Sequence, residues 1–281
     1  VGIFGGFYTV PLYALVQQRS DPMRRSRVIA GNNILNALFM VISALYTMLL
    51  LGPLNLSIPE LFLVTAVINA AVAVYIFTLV PEFMMRFMVW ILIHAMYRVK
   101  VVGLSKVPAE GAVILAPNHV SYVDALIVGG MIPRPTRFVM YYKIFNIPVL
   151  RFIFKNSRAI PIASARENKA LLDAAYRDID SALDNGEILG IFPEGGLSPD
   201  GRLQPFKKGV ERIIEQRDVY VIPVAICNLW GSIFSRKEPL HRRIPKRLWR
   251  PVELLIGEPI PANEVTADGL RDAVERLQLD Y

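Results

Sequence analysis

The first 80 residues alternate between long apolar runs and short polar segments. Residues 29–51 carry no charged side chain over 23 positions, and residues 61–80 form a second apolar run. A helix rises 1.5 Å per residue, so each run is long enough to cross the roughly 30 Å hydrocarbon core of a bilayer. Residues 1–17 predict a third membrane helix, truncated or kinked at Pro11. The chain is therefore expected to open with a transmembrane helical segment.

The loops between these runs differ in charge. The first loop, RSDPMRRSR at 19–27, contains four arginines, whereas the second, GPLNLSIPE at 52–60, contains none. Because basic loops tend to stay in the cytoplasm, the first loop is expected inside and the second outside. Everything after residue 81 is then expected on the cytoplasmic side.

The next segment, at 82–100, is apolar but contains Arg86 and His94 and ends with two further cations, Arg98 and Lys100. This composition favours a helix that lies in the membrane interface over a fourth span. His94 is expected to be a packed or interfacial histidine rather than a catalytic one.

From residue 99 onwards, short apolar runs alternate with amphipathic ones. The strand-like runs lie at 99–103, 112–117, 137–142, 159–163, 187–193, 219–226 and 252–257. The run ENKALLDAAYRDIDSALDNG has apolar residues at helical spacing and ends at Gly186. This alternation predicts an α/β domain at 101–281 with a mixed, largely parallel sheet flanked by helices. Membrane helices at 1–81 and an interfacial or membrane-associated helix at 82–100 would precede it.

Composition and charge restrict the function further. The chain is 53% apolar with a formal net charge of +7. It has one cysteine, which excludes an internal disulfide and gives no indication of a thiolate metal site. No metal site is expected. The basic loop LHRRIPKRLWRP at 240–251 favours contact with anionic lipid, with plain solvation as the alternative. No motif supports nucleic-acid binding.

The stretch APNHVSYVDA at 116–125 follows an apolar strand and contains one of the three histidines. Ser121 and Asp124 have the spacing of a helix N-terminal capping box, which needs no function. Alternatively, Asp124 folds back onto His119, fixes its tautomer and lets the imidazole accept a proton from an alcohol. The spacing leaves both interpretations open.

Two other clusters lie where an α/β domain places its chemistry, near the ends of strands. The stretch FPEGG at 192–196 ends a predicted strand, and its glycines let the backbone approach a ligand while Glu194 projects from the turn. Lys207 and Lys208 open a helix and suit a phosphate, or belong to a solvated face. Arg158 precedes a strand and is a candidate anion ligand, with a surface salt bridge as the alternative.

Four stretches resemble, in order and spacing, the four motifs of the 1-acylglycerol-3-phosphate acyltransferases, a family of glycerolipid acyltransferases. They are NHVSYVD at 118–124, RAIPI at 158–162, FPEGG at 192–196 and VIPVAI at 221–226. The resemblance covers roughly residues 85–265. It implies the glycerolipid acyltransferase fold, and transfer of a fatty acyl group from a thioester to a free hydroxyl of a lysophospholipid. Acyl-CoA or acyl-acyl carrier protein would be the co-substrate, and no other cofactor is expected.

The resemblance also implies roles for the matching residues. His119 would be the general base and Asp124 its orienting partner. Glu194 and Gly195 would shape the acceptor site, and Arg158 would bind the acceptor phosphate.

Five further residues complete the expected substrate-binding set. Asn118, beside the base, would support the loop geometry or the oxyanion. Gly196 stands where the family usually has threonine or another polar residue, so a hydrogen bond expected there is missing or supplied elsewhere. Ser121, Lys207 and Lys208 are the remaining members.

The opening 45 residues are similar to the final helices of major facilitator transporters of the lysophospholipid-transporter type, which in some bacteria are fused to such an acyltransferase. This similarity implies a multi-pass protein of the bacterial inner (cytoplasmic) membrane, of which the chain is a piece. Its partners would be membrane lipid and a lysophospholipid, either 1-acylglycerol-3-phosphate or a lysophosphatidylethanolamine-like acceptor.

Two alternatives compete with acyl transfer. A lipid hydrolase is possible because His119, Asp124 and Ser121 supply the residue types of a triad, although the chain has no Gly-x-Ser-x-Gly elbow. A lipid-binding or transporter-associated membrane protein without catalysis would explain the capping box, but it would not explain His119 or Glu194.

Overall fold

The computed structural model describes residues 20, 23–79, 81–146, 151, 153–154, 156–215, 217–232, 234–235 and 249–280, with the backbone alone at 76–79 and 81–84. The chain divides into two compact units, Val1–Thr78 and Leu79–Tyr281. The helix predicted at 1–17 and most of the basic loop at 240–251 lie outside the described residues.

The first unit contains two long helices, α1 (Arg25–Leu51) and α2 (Ile58–Leu79). Helix α1 begins before the predicted apolar run, so Arg25 and Arg27 lie in its first turn and not in a loop. Most of the apolar side chains on both helices are exposed. By length and composition, both helices are able to cross a membrane, which indicates membrane association.

The second unit combines a seven-stranded sheet with five helices in its described part. The strands are β1 (Tyr97–Val102), β2 (Val113–Pro117), β3 (Thr136–Tyr141), β4 (Ile160–Ile162), β5 (Ile188–Gly190), β6 (Tyr220–Cys227) and β7 (Arg250–Ile256). The helices are α3 (Pro81–Met96), α4 (Asp124–Met131), α5 (Lys169–Asp184), α6 (Gly209–Ile214) and α7 (Ala267–Leu279). Short 3₁₀ turns lie at Leu104–Lys106, Tyr142–Asn146 and Ala262–Glu264. Every predicted strand is therefore present.

The strand order is β1-β7-β6-β2-β5-β3-β4, and the sheet is mixed. Strands β2 to β6 run parallel to one another, β7 is antiparallel to β6, and β1 is parallel to β7. The carboxyl ends of the five parallel strands therefore share one edge with the amino ends of β1 and β7, and we call this the carboxyl edge. The predicted mixed, largely parallel α/β sheet is confirmed.

Helices cover both faces of the sheet, which explains why β2 is apolar at every position and buried throughout. One face packs against α5, α6 and α7, through Ile179, Leu183, Val210 and Leu270 among others. The opposite face packs against α3 and α4, through Ile93, Ile127 and Val128 among others. Two apolar layers thus hold the loops of the carboxyl edge on a rigid base.

Helix α3 is shorter than predicted. The helix ends at Met96, because Tyr97 begins β1 and the chain joins the sheet there, so the extension to residue 100 is wrong. One side of α3 is buried through Met85 and Ile93, whereas Phe87, Met88, Trp90, Ile91 and Leu92 are exposed. The His94 ring packs at 4.2 Å from the Trp90 ring. The helix is amphipathic, and its place in the membrane interface stays a prediction.

Candidate active site

Strand β2 brings the histidine loop to the carboxyl edge. The strand ends at Pro117, and Asn118 follows with a side chain that is 1% exposed. Its amide donates to the Ile226 carbonyl at 3.2 Å and accepts from the Ile226 N–H at 2.6 Å. Because these bonds use the amide oxygen and one N–H of the side chain, Asn118 fixes the loop to β6. Of its two expected roles, the structure fits loop geometry.

Asp124 gathers the histidine loop around one carboxylate oxygen. Its Oδ2 accepts hydrogen bonds from His119 Nδ1 at 2.8 Å, from Val120 N at 2.6 Å and from Ser121 N at 2.8 Å. A carboxylate only accepts, so His119 Nδ1 carries the proton and Nε2 is the basic nitrogen. Asp124 is fully buried, whereas the His119 side chain is 22% exposed and accessible. The five-residue spacing therefore forms a histidine–carboxylate dyad.

The surroundings of the dyad are apolar. The Phe192 ring stacks on His119 with centroids 4.1 Å apart. Burial raises the pKa of Asp124, and hydrogen bonds from His119, Ser121 and Val120 act in the opposite direction. The N–H groups around Oδ2 therefore favour the charged carboxylate that a general-base histidine needs.

The capping box is present in part and shares its carboxylate with the dyad. Asp124 Oδ2 reaches back to Ser121 N, but Asp124 N donates to the Ser121 carbonyl at 3.3 Å and not to its hydroxyl. The Ser121 hydroxyl accepts instead from Val123 N at 3.5 Å, and Ser121 is fully buried. Ser121 therefore shapes the loop, and its expected contact with substrate is not available.

Glu194 joins two loops by their backbones. It follows β5 and is 6% exposed, with Oε1 accepting from His119 N at 2.7 Å and Oε2 accepting from Gln204 N at 3.2 Å. Burial raises the pKa of Glu194 to about 7, although both hydrogen bonds lower it. The carboxylate thus holds the His119 loop in place, and the expected role of Glu194 in shaping the acceptor site stays a prediction. Gln204 binds Glu194 through its backbone N–H alone, so its residue type did not indicate this contact in the sequence.

The glycine turn after Glu194 lies under a lysine side chain. Gly195 has a φ of +67°, and Lys207 packs over it, with Nζ donating to the Gly195 carbonyl at 3.4 Å. Lys207 N also donates to the Pro193 carbonyl at 2.8 Å. Gly196 is exposed, and a Cβ there would meet no described atom within 4 Å. Lys207 therefore contacts the turn whose Glu194 binds the backbone of His119.

Lys208 lies on a different surface from Lys207. It precedes α6 and lines an open cleft together with Glu211, Arg212 and Asn263. Adjacent positions in the chain thus have different surroundings. Lys207 contacts the turn after Glu194, whereas Lys208 lines this cleft, and the substrate-binding role expected of both lysines stays a prediction.

Arg158 does not join the dyad. Its Nη2 pairs with Glu187 Oε1 at 2.8 Å, and its carbonyl accepts from Arg137 Nε at 2.8 Å. Arg158 precedes β4 and Glu187 precedes β5, so both lie toward the amino ends of parallel strands. His119 follows the carboxyl end of β2, at the opposite edge of the sheet. Arg158 therefore forms the salt bridge that was expected as the alternative. Its distance from the histidine edge of the sheet gives no support to the expected contact with the acceptor phosphate.

A small, mainly apolar cavity of about 70 Å³ lies close to the dyad. Its lining includes Met85, Val89, Leu126, Gly129, Phe138 and Phe154. The Phe138 ring stacks with Phe192 at 5.9 Å, and Phe192 in turn stacks on His119. The Phe192 ring therefore lies between the Phe138 wall of the cavity and the His119 ring. No sequence signal marked this cavity, because its lining comes from separate elements.

Comparison with known proteins gives a consistent result. Residues 98–227 match the sequence profile of the family described as Acyltransferase. This part of the chain is an acyltransferase domain. It contains the dyad, the Glu194 turn and Lys207.

Individual relatives share the domain at low identity. A 1-acyl-sn-glycerol-3-phosphate acyltransferase of Borreliella burgdorferi is 28% identical over 138 residues, which cover 47% of this chain and 52% of the relative. The enzyme of the same name from Bacillus subtilis is 26% identical over 163 residues, covering 58% and 73%. The chain thus spans about half the length of the Borreliella relative.

A solved structure confirms the fold. The crystal structure of the 1-acyl-sn-glycerophosphate acyltransferase of Thermotoga maritima superposes with a TM-score of 0.53 at 24% sequence identity. The match covers 64% of this chain and 70% of that protein. At this identity the likeness establishes the fold of the acyltransferase domain.

Replacing Glu194 by glutamine is expected to flatten the pH dependence of stability. The pKa of Glu194 is about 7 in the folded chain and near the ordinary value of about 4.3 when unfolded. Between these values the folded state binds more protons, so the free energy of unfolding falls as the pH rises. Glutamine does not titrate, so Glu194→Gln should lose this decrease. Thermal unfolding in detergent from about pH 4.5 to about 7.5 measures it.

Glu264→Gln provides the matched control, because Glu264 is exposed and distant in sequence from the histidine loop. It should leave the pH dependence of the melting temperature as in the unmodified chain. An equally steep dependence in Glu194→Gln would contradict the assigned environment of Glu194.

Proposed function

We propose that the chain transfers a fatty acyl group from acyl-CoA or acyl-acyl carrier protein to the free hydroxyl of a lysophospholipid. The observation that carries this proposal is the 2.8 Å contact between His119 Nδ1 and Asp124 Oδ2 at the carboxyl edge of the acyltransferase domain. This contact leaves Nε2 as a base on an accessible ring. A protein that only binds lipid needs no such dyad.

The reaction follows from these groups. His119 Nε2 accepts the proton of the acceptor hydroxyl while the oxygen attacks the thioester carbonyl, and the Asp124 charge stabilises the imidazolium. When the tetrahedral intermediate collapses, the C–S bond breaks and the imidazolium proton goes to the departing thiolate. The products are the ester and the free thiol. The thioester supplies an already activated acyl group, so the proposal requires no additional cofactor.

The apolar cavity supports a fatty substrate. Its lining is chiefly aliphatic and aromatic, and its wall at Phe138 stacks through Phe192 on the catalytic ring. An acyl chain in this cavity would gain about 0.8 kcal/mol for each buried methylene.

The relatives' printed names favour 1-acylglycerol-3-phosphate as the acceptor, ahead of a lysophosphatidylethanolamine-like lipid. A phosphate on the acceptor needs a cation near the dyad. Lys207 meets this requirement, since its side chain packs over the turn that follows Glu194. Lys207 therefore takes the phosphate-binding role that the motif comparison gave to Arg158.

A lipid hydrolase is the weaker candidate. Its nucleophile would be Ser121, which is fully buried and whose hydroxyl accepts a hydrogen bond from Val123 N. A nucleophilic serine must instead contact the imidazole and reach the substrate.

The membrane context is part of the same proposal. Helices α1 and α2 would anchor the acyltransferase domain on the cytoplasmic side of a bacterial inner membrane, as the four arginines before and at the start of α1 favour. Their proposed origin is the end of a major facilitator transporter, which rests on sequence similarity alone. Lysophospholipid would then reach the dyad from the bilayer.

His119→Ala is expected to reduce acyl transfer by about 10² to 10⁴, because it removes the general base. His94→Ala is the control, since the ring of His94 packs on Trp90 of its own helix. It should retain most of the activity. Product formation measured by mass spectrometry with saturating donor and acceptor separates the two variants. A His119→Ala protein that keeps most of its turnover would exclude the proposed mechanism.

Lys207→Ala is expected to raise the KM for the phosphorylated acceptor by about 10-fold or more, because a hydrogen bond to a charged group contributes about 1.5–3 kcal/mol. Lys208→Ala and Arg158→Ala should leave that KM unchanged, since both side chains lie elsewhere. Monoacylglycerol, which lacks the phosphate, should show no effect of Lys207→Ala. A raised KM in Arg158→Ala, with none in Lys207→Ala, would reverse the assignment.

A further inference from the structure

The loops after β5 and β6 contact each other at Gly201 and Trp230. Strands β5 and β6 are the two neighbours of β2 in the sheet, so these loops flank the histidine loop at the carboxyl edge. Gly201 has a φ of +85°, and a Cβ built on it would lie 2.6 Å from Trp230 Cδ1 and Cδ2. Real Cβ atoms essentially never approach so closely. Only glycine therefore combines this backbone conformation with this contact.

Trp230 is held firmly on its own side of the contact. Its side chain packs against the apolar layer that faces α3 and α4, and the preceding Leu229 is fully buried. The next residue, Gly231, donates its N–H to Ser235 Oγ at 2.9 Å. The atoms that face Gly201 are the inner atoms of the indole ring, which cannot turn away as the end of a flexible side chain can. A side chain at position 201 would therefore displace the loop after β5.

Gly201 is connected to His119 through Ser198. Ser198 is fully buried, and its hydroxyl accepts from Gly201 N at 2.9 Å and donates to the Arg202 carbonyl at 2.8 Å. Ser198 N donates in turn to the His119 carbonyl at 2.8 Å. Two consecutive hydrogen bonds thus lead from the glycine to the backbone of the histidine.

The same loop reaches His119 a second time through Glu194. Gln204 N donates to Glu194 Oε2 at 3.2 Å, and Glu194 Oε1 accepts from His119 N at 2.7 Å. The loop at 198–204 therefore holds the carbonyl of His119 directly and its N–H through one carboxylate. Asp124 orients the imidazole ring, whereas the 198–204 loop fixes the backbone from which that ring projects.

We propose that Gly201 and Trp230 are positioning residues for His119. Their contact braces the 198–204 loop against the segment after β6, and the braced loop keeps His119 Nε2 aligned with the acceptor hydroxyl. A displacement of about 1 Å, even one that begins far from the reacting atoms, can cost about 10² in rate. This inference rests on the proposed function, because it concerns the same base.

Gly201→Ala should lower kcat by about 10- to 100-fold, because the added methyl group overlaps the indole of Trp230 and displaces the loop. The KM for the acceptor should stay within about twofold, as expected for a change that acts on the transition state. Lys207 keeps its bonds to Pro193 and Gly195, which do not involve the displaced turn. Initial rates of product formation, measured by mass spectrometry on the full chain in detergent or lipid, give both constants.

Gly111→Ala is the matched control. Gly111 also has a φ of +85°, but a Cβ there would meet no described atom within 4 Å, so the variant carries the backbone strain without the overlap. It should retain most of the kcat. Trp230→Ala removes the ring and should lower kcat by itself. In that background Gly201→Ala should cost no more than Gly111→Ala does, because the contact is already lost.

Hydrogen exchange tests the same connection without turnover. Backbone amides of the histidine loop, at 118–124, should exchange faster in Gly201→Ala and Trp230→Ala than in the unmodified chain, and Gly111→Ala should leave them unchanged. Equal kcat and equal exchange in Gly201→Ala and Gly111→Ala would overturn the inference. If Gly201→Ala does not fold, unchanged kcat and exchange in Trp230→Ala would overturn it.

The two proposals can fail separately. An unmodified chain without acyl transfer would contradict the proposed function. The exchange rates of the histidine loop would still show whether the contact between Gly201 and Trp230 holds His119 in place.

Discussion

The candidate site depends on one carboxylate oxygen, Asp124 Oδ2, which accepts three N–H groups. Two of them come from the backbone of Val120 and Ser121 and fix the path of the loop, and the third comes from the His119 ring and fixes its tautomer. Helix initiation and base orientation therefore use the same atom. Loss of the Asp124 charge would disturb the loop, the start of α4 and the base together.

A second buried carboxylate completes this arrangement from the other side. Glu194 binds the backbone N–H of His119 and that of Gln204, so the loops after β2 and β5 hold each other. The sheet makes this possible, since β2 and β5 are adjacent parallel strands whose carboxyl ends meet at one edge. Both carboxylates act mainly on the position of His119. The surrounding surface, with Lys207 and the apolar cavity, is left for the substrate.

Much of the fold could be predicted because strands covered on both faces are apolar along their whole length, as β2 is. The dyad could be predicted because its members are five residues apart. The pairing of Arg158 with Glu187 at 2.8 Å could not be predicted, because a motif does not show which end of β4 its arginine lies at. The contact between Glu194 and the His119 loop could not be predicted, because the two residues are 75 positions apart in sequence and meet only through the pairing of β2 with β5.

The central claim is that this dyad transfers an acyl group to a lipid hydroxyl and not to water. The most direct measurement follows thiol release and lipid products together, with acyl-CoA and acyl-acyl carrier protein as donors, in the presence and absence of 1-acylglycerol-3-phosphate. One diacyl product is expected for each thiol released, with both depending on the acceptor. Release of thiol and free fatty acid at the same rate without acceptor would contradict it.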